Sequence, residues 1–284
     1  MKTIEALLKD KAIESKNYKV LSNKDGVLVL ELSDVKDQPI LKYFFNKLYT
    51  REIEYYKLLN HLDVKTMDVK KYYEDAMLLE NINLSGTYAL TQKTDLENKD
   101  LLRALAKWYK KFHRKGRQYV LDHSQCDFYS EIELLNDGNI KLLKNKTAYE
   151  NHEFWPLLDE KLKGVLTYYH KHKTLTYNDF SHTNMVHSLK HQEAYMFDYN
   201  FLGLGLPYFD ISNVLSALKP EFHEVFIEAY GGFDSLEKEI NDVMSHLIGL
   251  IIAYEKEVFP KWGVCSLEFL TSGELLDKLR RLKL

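Results

Sequence analysis

The most informative residues of the chain run Leu175-Thr176-Tyr177-Asn178-Asp179-Phe180-Ser181-His182-Thr183-Asn184-Met185-Val186 and resume at Ala194-Tyr195-Met196-Phe197-Asp198-Tyr199. An apolar lead-in ends in Asp179, an amide follows at Asn184, and a short apolar strand ends in Asp198. Phosphoryl transfer needs such a set. One carboxylate orients the attacking hydroxyl and accepts its proton, while an amide oxygen and a second carboxylate hold Mg²⁺ on nucleotide phosphates. One loop and one adjacent hairpin can supply all three. Taken singly, Asp179 reads as a turn residue capping Ser181 or His182, so the joint order carries the reading.

Outward from this stretch, the run Gly203-x-Gly205-x-Pro207-Tyr208-x-Asp210-Ile211 follows. Upstream, Lys42 sits inside the apolar run Ile40-Leu41-Lys42-Tyr43-Phe44-Phe45, where an ammonium is costly to bury without a counter-charge. The alternative for Lys42 is an edge strand with the ammonium in solvent. Glu52 opens the next helix and can supply the counter-charge, with Glu54 two residues on and so on a different helix face. Leu78-Leu79-Glu80-Asn81-Ile82 is an apolar strand ending in Glu, and Ser22-Asn23-Lys24-Asp25-Gly26 is a turn with one glycine.

Together these elements resemble the aminoglycoside phosphotransferase and choline kinase superfamily. Asn178-Asp179-x-x-x-x-Asn184 is similar to its catalytic loop, Phe197-Asp198-Tyr199 to its Ile-Asp-Trp element, and the run ending at Asp210-Ile211 to its Gly-x-Gly-Asp-Pro-x-x-Asp-Leu signature. Tyr177 stands where the family has His, and Leu206 replaces the first Asp of the signature. The resemblance implies an α+β, protein-kinase-like two-lobed fold, with a small mostly-β N-lobe and a larger mostly-α C-lobe. It implies ATP and Mg²⁺ as cofactors and a hydroxyl-bearing small molecule as acceptor. Asp179 would be the catalytic base, and Asn184 and Asp198 the Mg²⁺ ligands. Lys42 and Glu52 would clamp the phosphates, residues 22–26 would be the phosphate-covering turn, with one glycine where protein kinases have a Gly-rich loop, and Leu79, Glu80 and Asn81 would form the hinge whose backbone holds adenine. Tyr177 and Asp210 would support the loop. A catalytically silent nucleotide-binding scaffold with the same fold is the alternative, which Tyr177, Leu206 and the Gly-poor turn would permit.

The layout agrees with that expectation. Residues 27–32 and 39–45 read as a strand hairpin, Thr50 precedes a helix carrying Ile53, Tyr56, Leu59 and Leu62, and residues 72–73 and 76–79 read as short strands. Helical patterns then dominate. Leu101, Leu105, Trp108, Tyr109 and Phe112 share one helix face, and amphipathic stretches cover residues 125–135, 149–171, 221–230, 236–258 and 266–282. An island of strand and loop interrupts them at 174–198. Residues 1–82 are expected to form the nucleotide-binding lobe and 83–284 the lobe with catalytic loop and acceptor site, joined near 80–86.

A chain of 284 residues that is 45% hydrophobic can bury a substantial core. A net charge of −3 gives no reason to expect nucleic-acid binding. Residues 1–15 read as a surface helix, not a signal peptide, and residues 247–253 are too short a run to cross a membrane. Two cysteines are too few for a disulfide framework, which fits a cytoplasmic protein. His170, His172, His182, His187 and His191 crowd the catalytic stretch without the spacing of a zinc site. Trp155, Trp262 and a few tyrosines are candidates for a cage around a cationic acceptor. Glu221, Glu224 and Glu228 share a helix face that reads either as an acidic acceptor surface or as a solvated face. The segment from 198 to 207 is too short for the phosphorylated activation loop of a protein kinase.

Overall fold

A computed structural model describes residues 3–123, 128–147 and 149–284. Its first elements are α1 (Ile4–Asp10), β1 (Tyr18–Lys24), β2 (Val27–Leu32), β3 (Ile40–Phe44), α2 (Arg51–His61), β4 (Val69–Tyr72), β5 (Ala76–Leu79) and β6 (Tyr88–Leu90). There follow α3 (Lys99–Asp122), β7 (Tyr129–Ser130), α4 (Asp137–Lys146), α5 (Phe154–His172), β8 (Thr174–Thr176), β9 (Met185–Ser188), β10 (Ala194–Met196) and β11 (Gly203–Gly205). The chain closes with α6 (Pro207–Ala217), α7 (His223–Tyr230), α8 (Ser235–Tyr254), α9 (Lys261–Thr271) and α10 (Glu274–Arg281). Contacts divide it into two compact units: Met1–Phe112, Asp179–Leu202 and Leu218–Tyr230 form the first, and His113–Asn178, Gly203–Ala217 and Gly231–Leu284 the second.

The first unit is built on a five-stranded antiparallel sheet in the order β1-β2-β3-β5-β4. Alternation decides which face is covered. Leu28, Leu30 and Leu32 of β2 are buried and pack with Leu41 and with Leu7 and Leu8 of α1, so the helix expected at the surface seals one sheet face. Val27 and Val29 point to the opposite face. Asp25 and Gly26 both have positive φ in the two-residue turn joining β1 to β2, the conformation that matches strand twist in tight hairpins. A second sheet, β10-β9-β6, carries the chain from Met185 to Met196. The apolar stripe of α3 as far as Phe112 is buried, with Trp108 stacked on Phe112 at 5.1 Å between centroids.

The second unit is mostly helical around a three-stranded sheet, β7-β11-β8. Gly203 is required there, because a Cβ would collide with the Tyr129 carbonyl and meet Asn178 Nδ2 at 3.0 Å. Ile240, Val243, Met244, Leu247 and Ile251 of α8 form its buried stripe.

Three sequence expectations are corrected. Of residues 125–135, those from 128 onward form β7 and a 3-10 turn (Glu131–Leu134), because Tyr129 and Ser130 are recruited as a parallel partner by Gly203 and Leu204; residues 124–127 lie outside the described residues. The stretch 266–282 is two helices, broken at Gly273, whose φ of 88° cannot continue a helix. The amphipathic stretch from 149 starts its helix only at Phe154, and α4 was not expected at all. Among the described residues no helix is long and apolar enough to cross a membrane.

Candidate active site

β3 is the central strand of the five, which decides between the two readings of Lys42: the ammonium is buried, not at an edge. Its Nζ lies 2.9 Å from Glu52 Oε1, 2.7 Å from Glu52 Oε2 and 2.9 Å from Asp198 Oδ1. Burial alone would lower the Lys42 pKa, but Glu52 and Asp198 hold it above its ordinary value. Glu52 is fully buried on the first turn of α2, and that burial pushes it up to about 7 against the pull of Lys42. Glu54 is exposed and pairs with Lys57, so it does not serve. Asp198 takes positive φ, 63°, a conformation that costs a non-glycine residue energy and clusters at functional sites. Asn200 Nδ2 donates to Asp198 Oδ1 at 2.7 Å, and Tyr199 N donates to Glu52 Oε1 at 3.3 Å.

Asp179 stands half-buried, with Asn184 Nδ2 donating to its Oδ2 at 3.3 Å. Burial, then the charge of Asp198, raise its pKa above the ordinary aspartate value; the Asn184 hydrogen bond and the charge of Lys24 act in the opposite direction. In the second unit, Asp210 near the start of α6 is buried and accepts from the two residues that precede Asp179: Tyr177 N at 2.7 Å and Asn178 N at 2.9 Å. His113 Nε2 sits 3.0 Å from Asp210 Oδ2. His113, on α3, thus meets the same carboxylate that holds the Tyr177 and Asn178 N–H groups. Tyr177 is itself buried, and Leu206 packs as a buried apolar side chain.

A cavity of ≈ 490 Å³ lies within the first unit. Apolar Val29, Ile40, Leu79 and Leu90 line it, and so do the charged Lys24, Lys42, Asp179 and Asp198. Ile40 pairs with Leu79, and Lys42 is two residues further on the same strand face, about 7 Å along. Glu80 and Asn81 border the cavity too, but their side chains are engaged elsewhere: Glu80 Oε1 accepts from Asp68 N at 2.8 Å, and Asn81 Nδ2 donates to Gln38 O at 2.9 Å. On the main chain, Glu80 N donates to Asp68 O at 2.9 Å and Asn81 O accepts from Leu84 N at 3.0 Å. The structure thus brings Lys42, Glu52, Leu79, Glu80, Asn81, Asp179, Asn184 and Asp198 to one region of one unit, and places Tyr177 and Asp210 in the other. Trp155 is buried, with its indole N–H on Tyr149 O, and so is not an exposed cage wall. His187 Nδ1 lies 3.1 Å from the Thr91 hydroxyl.

Sequence reasoning did not assign roles to His113 or Asn200, and it took Lys24 only as one residue of the phosphate-covering turn. His113 carried the signal of a polar residue on the buried stripe of a helix, but its partner lies 97 positions away. Asn200 follows Asp198 by two and gave no motif.

Solved structures place the fold. The chain matches the streptomycin-ATP ternary complex of APH(2")-IIa with a TM-score of 0.63 at 18% identity, covering 98% of this chain and 96% of that one. It matches the choline kinase LicA from Streptococcus pneumoniae with a TM-score of 0.61 at 16% identity, covering 98% and 99%. The macrolide 2'-phosphotransferase MphH from Brachybacterium faecium follows with 0.59 at 14%, covering 93% and 97%. The α+β fold is therefore that of the protein-kinase-like phosphotransferases. No curated protein sequence matches the chain. Residues 15–239 match the model of the phosphotransferase enzyme family APH, and the chain belongs to that family.

Proposed function

We propose that this phosphotransferase is a small-molecule kinase that moves the γ-phosphoryl group of ATP to a hydroxyl of its acceptor. The single observation that carries the proposal is the convergence of Lys42, Asp179 and Asp198 on one cavity with Asn184 hydrogen-bonded to Asp179. The Leu79–Asn81 main chain would hold the adenine, with Lys42 about 7 Å along β3 toward the phosphates. Residues 1–82 are assigned to nucleotide binding and 83–284 to the catalytic loop and acceptor. As the acceptor oxygen bonds to the γ-phosphorus, the bond to the bridging oxygen of the β-phosphate breaks. ADP leaves with that electron pair, and the hydroxyl proton passes to the Asp179 carboxylate.

The residues present fit Mg²⁺. At this place the Lys42 ammonium is shared by Glu52 and Asp198, Asp179 borders the same cavity, and Asn200 Oδ1 is buried beside Asp198 without a hydrogen bond. Asn184 and Asp198 would offer the hard oxygen donors that Mg²⁺ prefers, in the small number usual when phosphates complete the shell. When bound, the ion would neutralise phosphate charge. Among the described residues no group of three His, Cys, Asp or Glu is arranged to hold a metal.

A scaffold that binds nucleotide without turnover would share this fold, but with Lys42, Asp179, Asn184 and Asp198 all in place no observation favours it. The two are separated by thermal unfolding with ATP and Mg²⁺, followed by ATP consumption. The kinase reading expects Mg²⁺-dependent stabilisation, about 2.7 kcal/mol at a hundredfold excess over Kd, and slow hydrolysis. Stabilisation without turnover, with or without acceptors, would favour the scaffold.

A further inference from the structure

We infer that Lys24, at the tip of the β1–β2 hairpin, is a second phosphate-binding cation of the nucleotide cavity. This inference rests on the nucleotide reading above and adds a residue to it.

Strand parity comes first. The two-residue turn Asp25-Gly26 sets Lys24 opposite Val27 and Ser22 opposite Val29. Cross-strand partners share a sheet face, and Val27 and Val29 face the cavity, so Lys24 and Ser22 face it too. Asn23, opposite the buried Leu28, belongs to the other face. A bulge between Val20 and Ser22 absorbs the change of parity further down β1. The direction of the lysine is thus a property of the hairpin.

The tip is also held in place. Gly26 O accepts from Phe45 N at 2.8 Å and from Asn46 N at 3.1 Å, and a Cβ on Gly26 would come within 2.6 Å of Asn46 Cβ. The turn therefore leans on the end of β3, close in the chain to Lys42, without the glycines that a backbone-only phosphate loop uses.

Charge supplies the need. Lys42 donates hydrogen bonds to Glu52 Oε1 and Asp198 Oδ1, so its charge is already shared between two carboxylates. A polyanionic phosphate chain entering a cavity bordered by Asp179 and Asp198 meets repulsion that Lys42 alone does not relieve. Lys24 is exposed, is in no ion pair among the described residues, lines the same cavity, and already acts electrostatically on Asp179. An ammonium on a flexible stem, held at a fixed tip, suits a phosphate as a point charge.

The test is titration of the full chain and its variants with ATP, ADP and AMP in the presence of Mg²⁺. For Lys24→Met we expect ATP affinity to fall about tenfold, the size of one lost charge-assisted contact, with AMP affinity within about twofold, and Lys24→Arg to keep most of the ATP affinity. The swap Asn23→Lys with Lys24→Asn, which preserves composition but moves the charge to the other face, should behave like Lys24→Met. Because Lys24 is exposed, unfolding temperatures should match the parent and exclude a folding defect. Equal ATP affinity in parent and Lys24→Met, or equal losses for AMP and ATP, would overturn the role of Lys24 while leaving the kinase reading intact. A parent chain that binds none of the three nucleotides would overturn both.

Discussion

At the residue scale, the two most informative groups are Asp179 and Lys42. If Asp179 accepts the proton, Asp179→Asn should lower kcat by about 10²–10⁴-fold and leave ATP affinity nearly unchanged, as steady-state kinetics beside nucleotide titration would show. Its pKa is raised in the folded chain, so the base is lost to protonation at a higher pH than an ordinary aspartate would be. The acid limb of the kcat/KM profile of the parent, which reports the free enzyme, should accordingly lie above the value of an ordinary aspartate; a limb at the ordinary aspartate value would argue for another base. Lys42 is the only ammonium within an ion-pair distance of Glu52 or Asp198 among the described residues. Lys42→Met leaves two carboxylates near each other without it, and should destabilise the chain by about 3 kcal/mol near pH 8. Glu52 already sits at about 7, and losing the ammonium raises it further, so near pH 6 it takes up a proton and the penalty shrinks. Denaturant unfolding at the two pH values measures the difference.

At the element scale, the start of α6 and the turn after β7 give separate tests. Asp210 accepts from two main-chain N–H groups and faces His113, all buried or half-buried. Asp210→Ala strands those donors, and should cost about 3 kcal/mol or more together with turnover, while ATP affinity in surviving protein stays close to the parent. Glu131, in the turn after β7, is raised to about 7 by burial first and by the Asp210 charge second. Because that value lies above the ordinary 4.5, folding takes up a proton between the two, and stability falls as pH rises through this window and is then level. Glu131→Gln removes the charge and keeps the shape. It should unfold a few °C higher than the parent near pH 8 and show no such gain near pH 4.5. An identical shift at both pH values would contradict the burial account.

For the whole molecule, what could be read from sequence divides along a physical line. Local order showed Asp179, Asn184 and Asp198 because three chemically apt residues lie close together in the chain, and it showed Lys42 because an ammonium inside an apolar strand demands a partner. The strand-then-helix layout was visible through periodicity alone. Features that depend on long-range pairing were not. The face of Lys24 follows from a register that only the hairpin reveals, the partner of His113 comes from a distant helix, and residues 129–130 became a strand only because Gly203 and Leu204 recruit them. The direct test of the central claim is transfer of labelled phosphate from γ-labelled ATP to a panel of aminoglycosides, choline, sugars and amino alcohols, run with the parent chain and with Asp179→Asn. The account predicts a labelled, Mg²⁺-dependent product with the parent for at least one acceptor class and about a hundredfold or greater loss of its rate in the variant; the same product formed at the parental rate by Asp179→Asn would contradict it.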